Sequence, residues 1–149
     1  MTVAYVGLGA NLGDREAALL SAAELLPARR LSTIRETAPW GYLDQPPYLN
    51  AVAEVETELD ARAFLDRLLD LERLLGRIRL GPRWGPRTID LDLLTFGDAV
   101  LDEPGLTVPH PRLHERLFVL EPLAELAPSL NIPGKGTVSA LLAGLQSGP

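Results

Sequence analysis

The chain has 149 residues, a formal net charge of -6 at pH 7, a hydrophobic fraction of 46% and a charged fraction of 23%. These values are typical of one globular domain, residues 1–149, large enough to bury about two-thirds of the surface of the unfolded chain. The sequence has no cysteine, which excludes disulfides, a thiolate zinc site and a cysteine nucleophile. The net negative charge argues against nucleic-acid binding.

The sequence also sets expectations for location and assembly. No signal-peptide pattern opens it, and no run of about 18 apolar residues occurs in it. We therefore expect a cytoplasmic protein with no membrane partner. Nothing in the sequence demands a dimer, so a monomer is the simpler expectation.

The first predicted unit is a strand followed by a helix. Thr2–Gly9 is a short apolar run, which is typical of a buried central strand. A glycine-rich turn follows, and Asp14 is a suitable N-cap for a helix that ends at Pro27.

The Gly-x-Gly pattern in this turn raises the alternative of a dinucleotide-binding loop. The third glycine of that motif would fall at Leu12, and no second βαβ unit follows. We therefore interpret Gly7 and Gly13 as turn positions that need glycine geometry.

Two further strands are predicted, with a loop between them. The first covers about Leu31–Glu36, and a proline-rich loop, Thr37–Pro47, follows it. The second, Tyr48–Thr57, alternates clearly, so Tyr48 and Asn50 point to the same face. A ring beside a side-chain amide suits a flat heterocycle, but by themselves these residues favour a core tyrosine and a strand-end asparagine.

Asp60 begins a second helix, for which Gly76 is the expected C-terminal stop. Glu72 lies in its last turn, where the helix dipole disfavours an acid. Either a functional role or an ion pair with an arginine explains Glu72. The basic segment Arg77–Pro86, with Trp84 as its large apolar group, is interpreted as a loop that closes over a phosphate site.

The strand that ends at Phe96 carries the most informative pair of residues. Side chains at i and i+2 of a strand share a face and lie roughly 6.6 Å apart, so Asp90 and Asp92 point the same way. Two carboxylates this close repel each other, and a divalent cation between them is the usual solution. Taken alone, however, an Asp-x-Asp pair more often only faces solvent.

The arginines before this strand add a second signal. Five of them occur without an intervening acid: Arg73, Arg77, Arg79, Arg83 and Arg87. In an acidic chain such a block needs a specific reason, and a planar guanidinium matches phosphate oxygens. The block beside a metal-binding acid pair predicts a polyphosphate site.

The last third of the chain is predicted to form short elements. They are an edge strand at Ala99–Leu101, an extended segment at Leu106–Pro111, helices at Pro111–Leu120, Pro122–Pro128 and Val138–Leu145, and a loop at Asn131–Gly136. His110 lies in the extended segment. A lone histidine is more often structural, but near a phosphate site a hydrogen bond to the nucleotide is an equally good explanation.

The order strand, helix, strand, strand, helix, strand predicts the fold. It is the order of the ferredoxin-like α+β class, in which an antiparallel sheet carries its helices on one face. The later elements are then C-terminal additions. We expect a cleft on the face that the first two helices leave uncovered.

Four segments of the sequence resemble one known family. They are Gly-Ala-Asn-Leu at Gly9–Leu12, Asp-Gln-Pro-Pro-Tyr-Leu-Asn at Asp44–Asn50, Arg-Trp-Gly-Pro-Arg-Thr-Ile-Asp-Leu-Asp at Arg83–Asp92, and Leu-Thr-Val-Pro-His at Leu106–His110. The third closely resembles the signature of 6-hydroxymethyl-7,8-dihydropterin pyrophosphokinase, an enzyme of the folate pathway. The resemblance covers nearly the whole chain and implies the same ferredoxin-like fold with C-terminal additions.

The resemblance implies a reaction and the groups that support it. Pyrophosphate passes from ATP to the hydroxymethyl group of a reduced pterin, and AMP is released. Two Mg²⁺ ions held by Asp90 and Asp92 would neutralise the triphosphate. Arg77 and Arg87 match positions that contact the transferred phosphates and stabilise charge in the transition state.

Other positions match residues that bind the two substrates. The mobile loop contributes Arg79, Arg83 and Trp84, and further nucleotide-contacting positions are Glu72, Thr107, His110 and Arg116. The pterin positions are the stacking rings Tyr48 and Phe118, the amide Asn50, and Thr37 and Trp40 in the loop whose backbone contacts the heterocycle edge.

Four positions differ from the family pattern. Ala10 replaces the usual serine, Trp40 replaces an aliphatic residue, and Pro111 and Gly105 stand where some members carry tyrosine and arginine. The edge of the pterin pocket and two nucleotide contacts are therefore open.

Two other functions are open at this point. A nucleotide-binding relative without catalysis would keep the fold and lose the chemistry, whereas a metal-dependent phosphohydrolase would use the same acids to activate water. The first alternative predicts damage at Asp90, Asp92 or Arg87, and all three residues are intact.

Overall fold

A computed structural model of the chain describes residues 1–10, 14–37, 48–77 and 89–146, without the side chains of Thr37 and Arg77. Most of the two predicted loops, Thr37–Pro47 and Arg77–Pro86, and the predicted turn residue Gly13 therefore lie outside the described residues. None of the described helices is long and apolar enough to cross a lipid bilayer.

An antiparallel sheet lies at the centre of the described structure. Its strands are β1 (Thr2–Ala10), β2 (Arg30–Leu31), β3 (Arg35–Thr37), β4 (Tyr48–Thr57) and β5 (Asp90–Phe96). They are ordered β2-β4-β1-β5, with β3 also paired to β4, and every pair is antiparallel. Strand β1 carries no charge, which suits its central position. The predicted strands at the start of the chain and at Tyr48–Thr57 are confirmed.

Two helices pack on one face of the sheet: α1 (Arg15–Leu25) and α2 (Ala61–Arg77). Their N-caps are the predicted ones. Asp14 Oδ1 accepts a hydrogen bond from the backbone N–H of Ala17 at 3.1 Å, and Asp60 Oδ1 accepts one from that of Ala63 at 2.8 Å. The core between helices and sheet includes Val6, Leu19, Phe64, Leu68 and Leu91.

The opposite face also carries helices, which belong to the elements predicted as C-terminal additions. A 3-10 turn (Leu113–Glu115), α3 (Leu117–Leu126) and α4 (Val138–Gln146) form a second core with it. The reason is that Tyr5, Val52 and Leu94 point to this face and need an apolar cover.

The two helices predicted at Pro111–Leu120 and Pro122–Pro128 are one helix, α3, with Pro122 inside it. Pro122 cannot donate a hydrogen bond to the carbonyl of Phe118, and a proline normally disfavours a helix interior for this reason. Its ring is nevertheless buried, so the helix is held in place by packing as well as by its own hydrogen bonds. Local sequence signals therefore gave the wrong boundary.

The strand predicted at Leu31–Glu36 is divided into β2 and β3. At the break, Ser32 Oγ accepts a hydrogen bond from the backbone N–H of Val52 at 2.8 Å, and the N–H of Ser32 donates to the Val52 carbonyl at 2.9 Å. A serine side chain has replaced a strand carbonyl as acceptor, which interrupts the regular ladder.

Three other boundaries differ from the predictions. Helix α2 continues through Gly76, whose φ is not positive, so Gly76 is not a C-terminal stop. The edge strand predicted at Ala99–Leu101 and the loop predicted at Asn131–Gly136 are two hairpins. These are β6 (Leu101–Glu103) with β7 (Leu106–Val108), and β8 (Asn131–Ile132) with β9 (Gly136–Thr137).

Candidate active site

A cavity of about 990 Å³ opens between α3 and the face of the sheet that α1 and α2 leave uncovered. Strands β1, β4 and β5 form its floor, and the segment from Arg112 through α3 forms one wall. A cleft on this face agrees with the prediction from the sequence. The volume is that of a site for small molecules.

The floor of the cavity is built around two glycines of the central strand. Gly9 pairs with Asp90 of β5 on one side and with Asn50 of β4 on the other, so three strands form one row. A Cβ atom on Gly9 would lie 3.2 Å from Asn50 Oδ1. No side chain rises from this position, so only backbone lies between the strand that carries Asp90 and the strand that carries Asn50, which are roughly 10 Å apart.

Asp90 and Asp92 both line this cavity, while Leu91 and Leu93 point into the core under α1 and α2. Asp90 is half-buried and Asp92 is exposed. The alternation predicted from the sequence is therefore confirmed.

Glu72 reaches β5 from the last turns of α2. Its Oε2 accepts a hydrogen bond from the backbone N–H of Leu91 at 2.8 Å, between the two aspartates. This N–H lies on the outer edge of β5, which has no neighbouring strand on that side in the described sheet. The contact gives Glu72 a structural role at the site, in addition to either role predicted for it.

The oxygen ligands that Asp90 and Asp92 offer can be compared with those that a bound metal ion requires. Among the described residues, no group of three or more His, Cys, Asp and Glu side chains could hold a metal. Two carboxylates that line one cavity suit Mg²⁺, which binds one or two carboxylates and completes its octahedron with water and substrate phosphates. The residues present therefore fit Mg²⁺ bound together with a nucleotide.

Two aromatic residues line the same cavity from different elements. Tyr48 comes from the start of β4 and Phe118 from the first turn of α3. Asn50, 9% exposed, lies on the floor near them. The guanidinium carbon of Arg116 is 5.5 Å from the centroid of the Phe118 ring, a cation–π distance.

His110 lies beside β5, because its backbone N–H donates to the Leu94 carbonyl at 2.8 Å. Its Nδ1 accepts a hydrogen bond from the backbone N–H of Arg112 at 3.1 Å. Burial lowers the pKa of His110, and the negative charge of Asp92 raises it. The positive charges of Arg116 and Arg112 lower it as well, so the net shift is downward. The ring is therefore neutral at neutral pH and carries its proton on Nε2, free to donate.

The structure brings together many of the predicted site residues. Those that line the cavity are Tyr48, Asn50, Asp90, Asp92, Arg116 and Phe118. Glu72 and His110 lie against β5, but Thr107 lies apart from the cavity lining on β7, with its hydroxyl 3.5 Å from Asp102 Oδ1.

For the other predicted site residues, the structure describes no side chain. Trp40, Arg79, Arg83, Trp84 and Arg87 lie outside the described residues. Thr37 ends β3 and Arg77 ends α2, and only their backbones are described.

Sequence reasoning missed several residues of the cavity. Gly9 belonged to a matched segment but had no role, and Gly7 was assigned to a turn although it lies inside β1. Arg112 and Glu121 also line the cavity. The signal for Glu121 was its spacing, because it lies three residues after Phe118 and so on the same side of a helix.

Comparison with known proteins places the chain in context. A profile of the family described as 7,8-dihydro-6-hydroxymethylpterin-pyrophosphokinase matches residues 5–128. A 2-amino-4-hydroxy-6-hydroxymethyldihydropteridine pyrophosphokinase of Methylorubrum extorquens is 46% identical over 147 residues, which cover 95% of this chain and 92% of the relative. A protein of the same name from Pseudomonas aeruginosa is 47% identical over 145 residues, or 93% of this chain and 89% of the relative.

Solved structures show the same fold at lower identity. The wild-type HPPK-DHPS of Plasmodium falciparum resembles the chain with a TM-score of 0.72 at 16% identity, over 96% of this chain and 43% of that one. Another HPPK-DHPS, in complex with substrates, gives a TM-score of 0.75 at 12% identity, over 97% of this chain and 45% of that one. The chain thus spans less than half the length of these two proteins.

Proposed function

Because the chain belongs to the 7,8-dihydro-6-hydroxymethylpterin-pyrophosphokinase family, we propose that it transfers pyrophosphate from ATP to 6-hydroxymethyl-7,8-dihydropterin in folate biosynthesis. The hydroxymethyl oxygen attacks the β-phosphorus and loses its proton to water, the bond from that phosphorus to the α-bridging oxygen breaks, and AMP leaves. The observation that carries this proposal is that one cavity holds both an aspartate pair and two aromatic rings beside an amide.

The pterin half of the cavity is the part lined by Tyr48, Asn50 and Phe118. Two rings, one from the floor and one from the wall, suit a flat heterocycle by stacking, and the Asn50 amide can both donate and accept at its edge. The loop that contains Thr37 and Trp40 is proposed to contact the same edge through its backbone. The bulky Trp40 would then shape the end of the pocket.

The aspartate half of the cavity is proposed to bind two Mg²⁺ ions through Asp90 and Asp92. Bound Mg²⁺ would neutralise the triphosphate charge and polarise its oxygens. The row that joins Asp90, Gly9 and Asn50 orients the two substrates toward each other, because the pterin edge and the phosphates share one floor.

Several residues are proposed to hold ATP itself. His110 offers an Nε2 donor beside Asp92, and Arg116 brings a positive charge into the cavity. Glu72 and Thr107 are proposed nucleotide contacts. Arg77 and Arg87, which precede the aspartates in the sequence, would contact the transferred phosphates. Arg79, Arg83 and Trp84 would close over the nucleotide.

We also propose that residues 1–149 form one ferredoxin-like domain with C-terminal additions. If β2 and β3 are counted as one strand, the strand order with α1 and α2 is that of a βαββαβ unit, which supports this assignment. The protein is proposed to work as a cytoplasmic monomer, with no nucleic-acid or membrane partner.

A nucleotide-binding relative without catalysis is the alternative function. It predicts loss of one of the groups that the chemistry needs, yet Asp90, Asp92, Asn50 and Phe118 are all present in one cavity. A phosphohydrolase is a weaker alternative, since two aromatic rings and an amide in the same cavity would then have no purpose.

The test supplies the purified protein with ATP, Mg²⁺ and 6-hydroxymethyl-7,8-dihydropterin. The proposed function requires AMP in amounts equal to the pterin diphosphate formed. ADP with inorganic phosphate would indicate hydrolysis instead. Nucleotide binding without any product would indicate the non-catalytic relative.

A further inference from the structure

Arg35 on strand β3 joins that strand to helix α3. Its Nη2 lies 3.3 Å from Glu125 Oε1, and its Nη1 lies 3.8 Å from Glu121 Oε2. The other oxygen of Glu125 accepts hydrogen bonds from the backbone N–H of Thr33 at 2.8 Å and from its hydroxyl at 3.0 Å. We call Arg35, Glu121 and Glu125 the Arg35 clamp.

The strand end of the clamp lies next to the floor of the cavity. Arg35 is the cross-strand partner of Asn50, and Thr37 is the partner of Tyr48. Cross-strand partners point to the same face of a sheet, so Arg35 projects on the side of Tyr48 and Asn50.

The helix end of the clamp lies next to the wall of the cavity. Phe118, Glu121 and Glu125 occupy positions i, i+3 and i+7 of α3, which places them on one helix face. Glu121 itself lines the cavity. The clamp therefore joins α3, which carries Phe118, to β3, which pairs with the strand that carries Tyr48 and Asn50.

Helix α3 needs such an external tie more than an ordinary helix does. It has 10 residues, with Pro122 at its centre. Because Pro122 has no N–H, it supplies no hydrogen bond to the carbonyl of Phe118, so the turn that carries the ring is held by fewer helix bonds. Short helices depend on tertiary contacts for their order.

The exposure of the clamp side chains indicates that the clamp positions α3 more than it stabilises the fold. The side chains of Arg35, Glu121 and Glu125 are 39%, 40% and 34% exposed, and ion pairs this exposed add little to stability. Burial raises the pKa of Glu125, but the hydrogen bonds from Thr33 and Arg35 outweigh it and lower that pKa. Glu125 is thus a carboxylate at neutral pH.

We propose that the Arg35 clamp sets the distance between the Phe118 ring and the Tyr48–Asn50 floor, and so determines the affinity for the pterin. This inference rests on the proposed function, because it takes the space between the two rings as the pterin site. Arg35 is a positioning residue, since it acts through α3.

The test compares variants that open the clamp with a matched control. Arg35→Met keeps the apolar stem and removes the charge, and Glu125→Gln removes the opposite charge. Glu56→Gln is the control, because Glu56 is 35% exposed, also pairs with an arginine and lies at the far end of β4. The measurements are KM for the pterin, KM for ATP and kcat, together with hydrogen exchange of the α3 amides.

Each opened variant is expected to raise KM for the pterin about threefold to fivefold, the size of one exposed ion pair, with KM for ATP unchanged. The double variant should match Arg35→Met, because Arg35→Met already removes the contact with Glu125. Arg35→Lys should restore part of the affinity, and amide exchange in α3 should be faster in the opened variants than in Glu56→Gln.

Other results would overturn the clamp. Equal rises in both KM values would indicate a general loss of structure, and wild-type values for Arg35→Met with unchanged α3 exchange would show that the contact has no role. These outcomes differ from failure of the proposed function, in which the wild-type protein itself gives no pterin diphosphate, and which would remove the basis for the clamp as well.

Discussion

Asp92 shows how the position of one residue on a strand determines its chemistry. Its carboxylate is exposed in the cavity, whereas its neighbours Leu91 and Leu93 are 4% and 6% exposed in the core. The side chain therefore carries little of the packing energy of the fold, and its replacement affects the cavity first.

Asp92→Ala is expected to lower kcat by about 10²-fold or more, because a group that stabilises charge in the transition state is lost. The fold should be retained, with a melting temperature near that of the wild type. Steady-state AMP release and thermal unfolding measure the two effects. Asp98→Ala, an exposed aspartate in the turn after β5, is the control and should be fully active. Unfolding of Asp92→Ala would contradict the position given to this residue.

The role of Gly9 depends on the absence of a side chain at this position. Any side chain there would enter the space between Asp90 and Asn50, since a Cβ atom would lie 3.2 Å from Asn50 Oδ1. The position requires no special backbone angle, so close approach is the reason for glycine.

Gly9→Ala is expected to raise KM for the pterin about fivefold, equivalent to about 1 kcal/mol, because the Asn50 amide must shift by a few tenths of an ångström. KM for ATP should change less. Gly144→Ala on α4, where a Cβ atom meets nothing within 4 Å, provides the control and should leave both constants unchanged. A wild-type pterin KM in Gly9→Ala would contradict the proposed role of Asn50.

At the scale of elements, side chains decide where strands stop. The break between β2 and β3 follows from Ser32, which is 4% exposed and takes the N–H of buried Val52 as its partner. Strand β5 has an irregularity of a different kind, a register shift against β1 between Tyr5 and Val6. Neither feature changes the strand pattern of the sequence enough to be predicted.

Ser32→Ala is expected to lower the free energy of unfolding by about 1–3 kcal/mol, because the buried N–H of Val52 would lose its acceptor. Urea denaturation measures this change. Ser139→Ala removes an exposed serine on α4 and should change stability much less. Equal stabilities of the two variants would show that the Ser32 contact adds nothing.

On the scale of the whole molecule, a polar network around the buried Glu54 joins distant parts of the chain. Glu54, 3% exposed on β4, accepts a hydrogen bond from the Tyr5 hydroxyl at 2.6 Å and one from Arg30 at 2.7 Å. Arg30 in turn donates to the Leu126 carbonyl at the end of α3. Burial, with the help of Glu54, raises the pKa of Tyr5 to about 12, and the hydrogen bond from Arg30 lowers that of Glu54.

The network predicts loss of stability at both ends of the pH range. Tyr5 has a raised pKa in the folded state, so its contribution is complete below pH 10 and disappears as the pH rises to about 12. Glu54 has a lowered pKa, so its contribution is present above about pH 4.5 and is lost as the pH falls below that value. Chemical denaturation across these ranges measures both changes.

Two variants separate the contributions. Tyr5→Phe should remove most of the alkaline decrease, and Glu54→Gln should reduce the acidic one. If the difference in stability between the wild type and Tyr5→Phe stayed constant from pH 9 to 12, the raised pKa of Tyr5 would be wrong.

The sequence alone determined the central strands, both N-caps, the shared face of Asp90 and Asp92, and the family. These features depend on residues close together in the chain, where the period of a strand or the geometry of a cap is complete within a few positions. Membership of the family was readable for the same reason, since its longest motif is one continuous segment.

Only the tertiary structure decided how the two halves of the cavity meet. In that structure Glu72 contacts the edge of β5, helix α3 continues through Pro122, and glycines of β1 form the floor between Asp90 and Asn50. Each of these outcomes depends on groups far apart in sequence, whose burial and hydrogen bonds outweigh local preferences. Local pattern therefore identified the chemical groups, and long-range packing determined how they face one another.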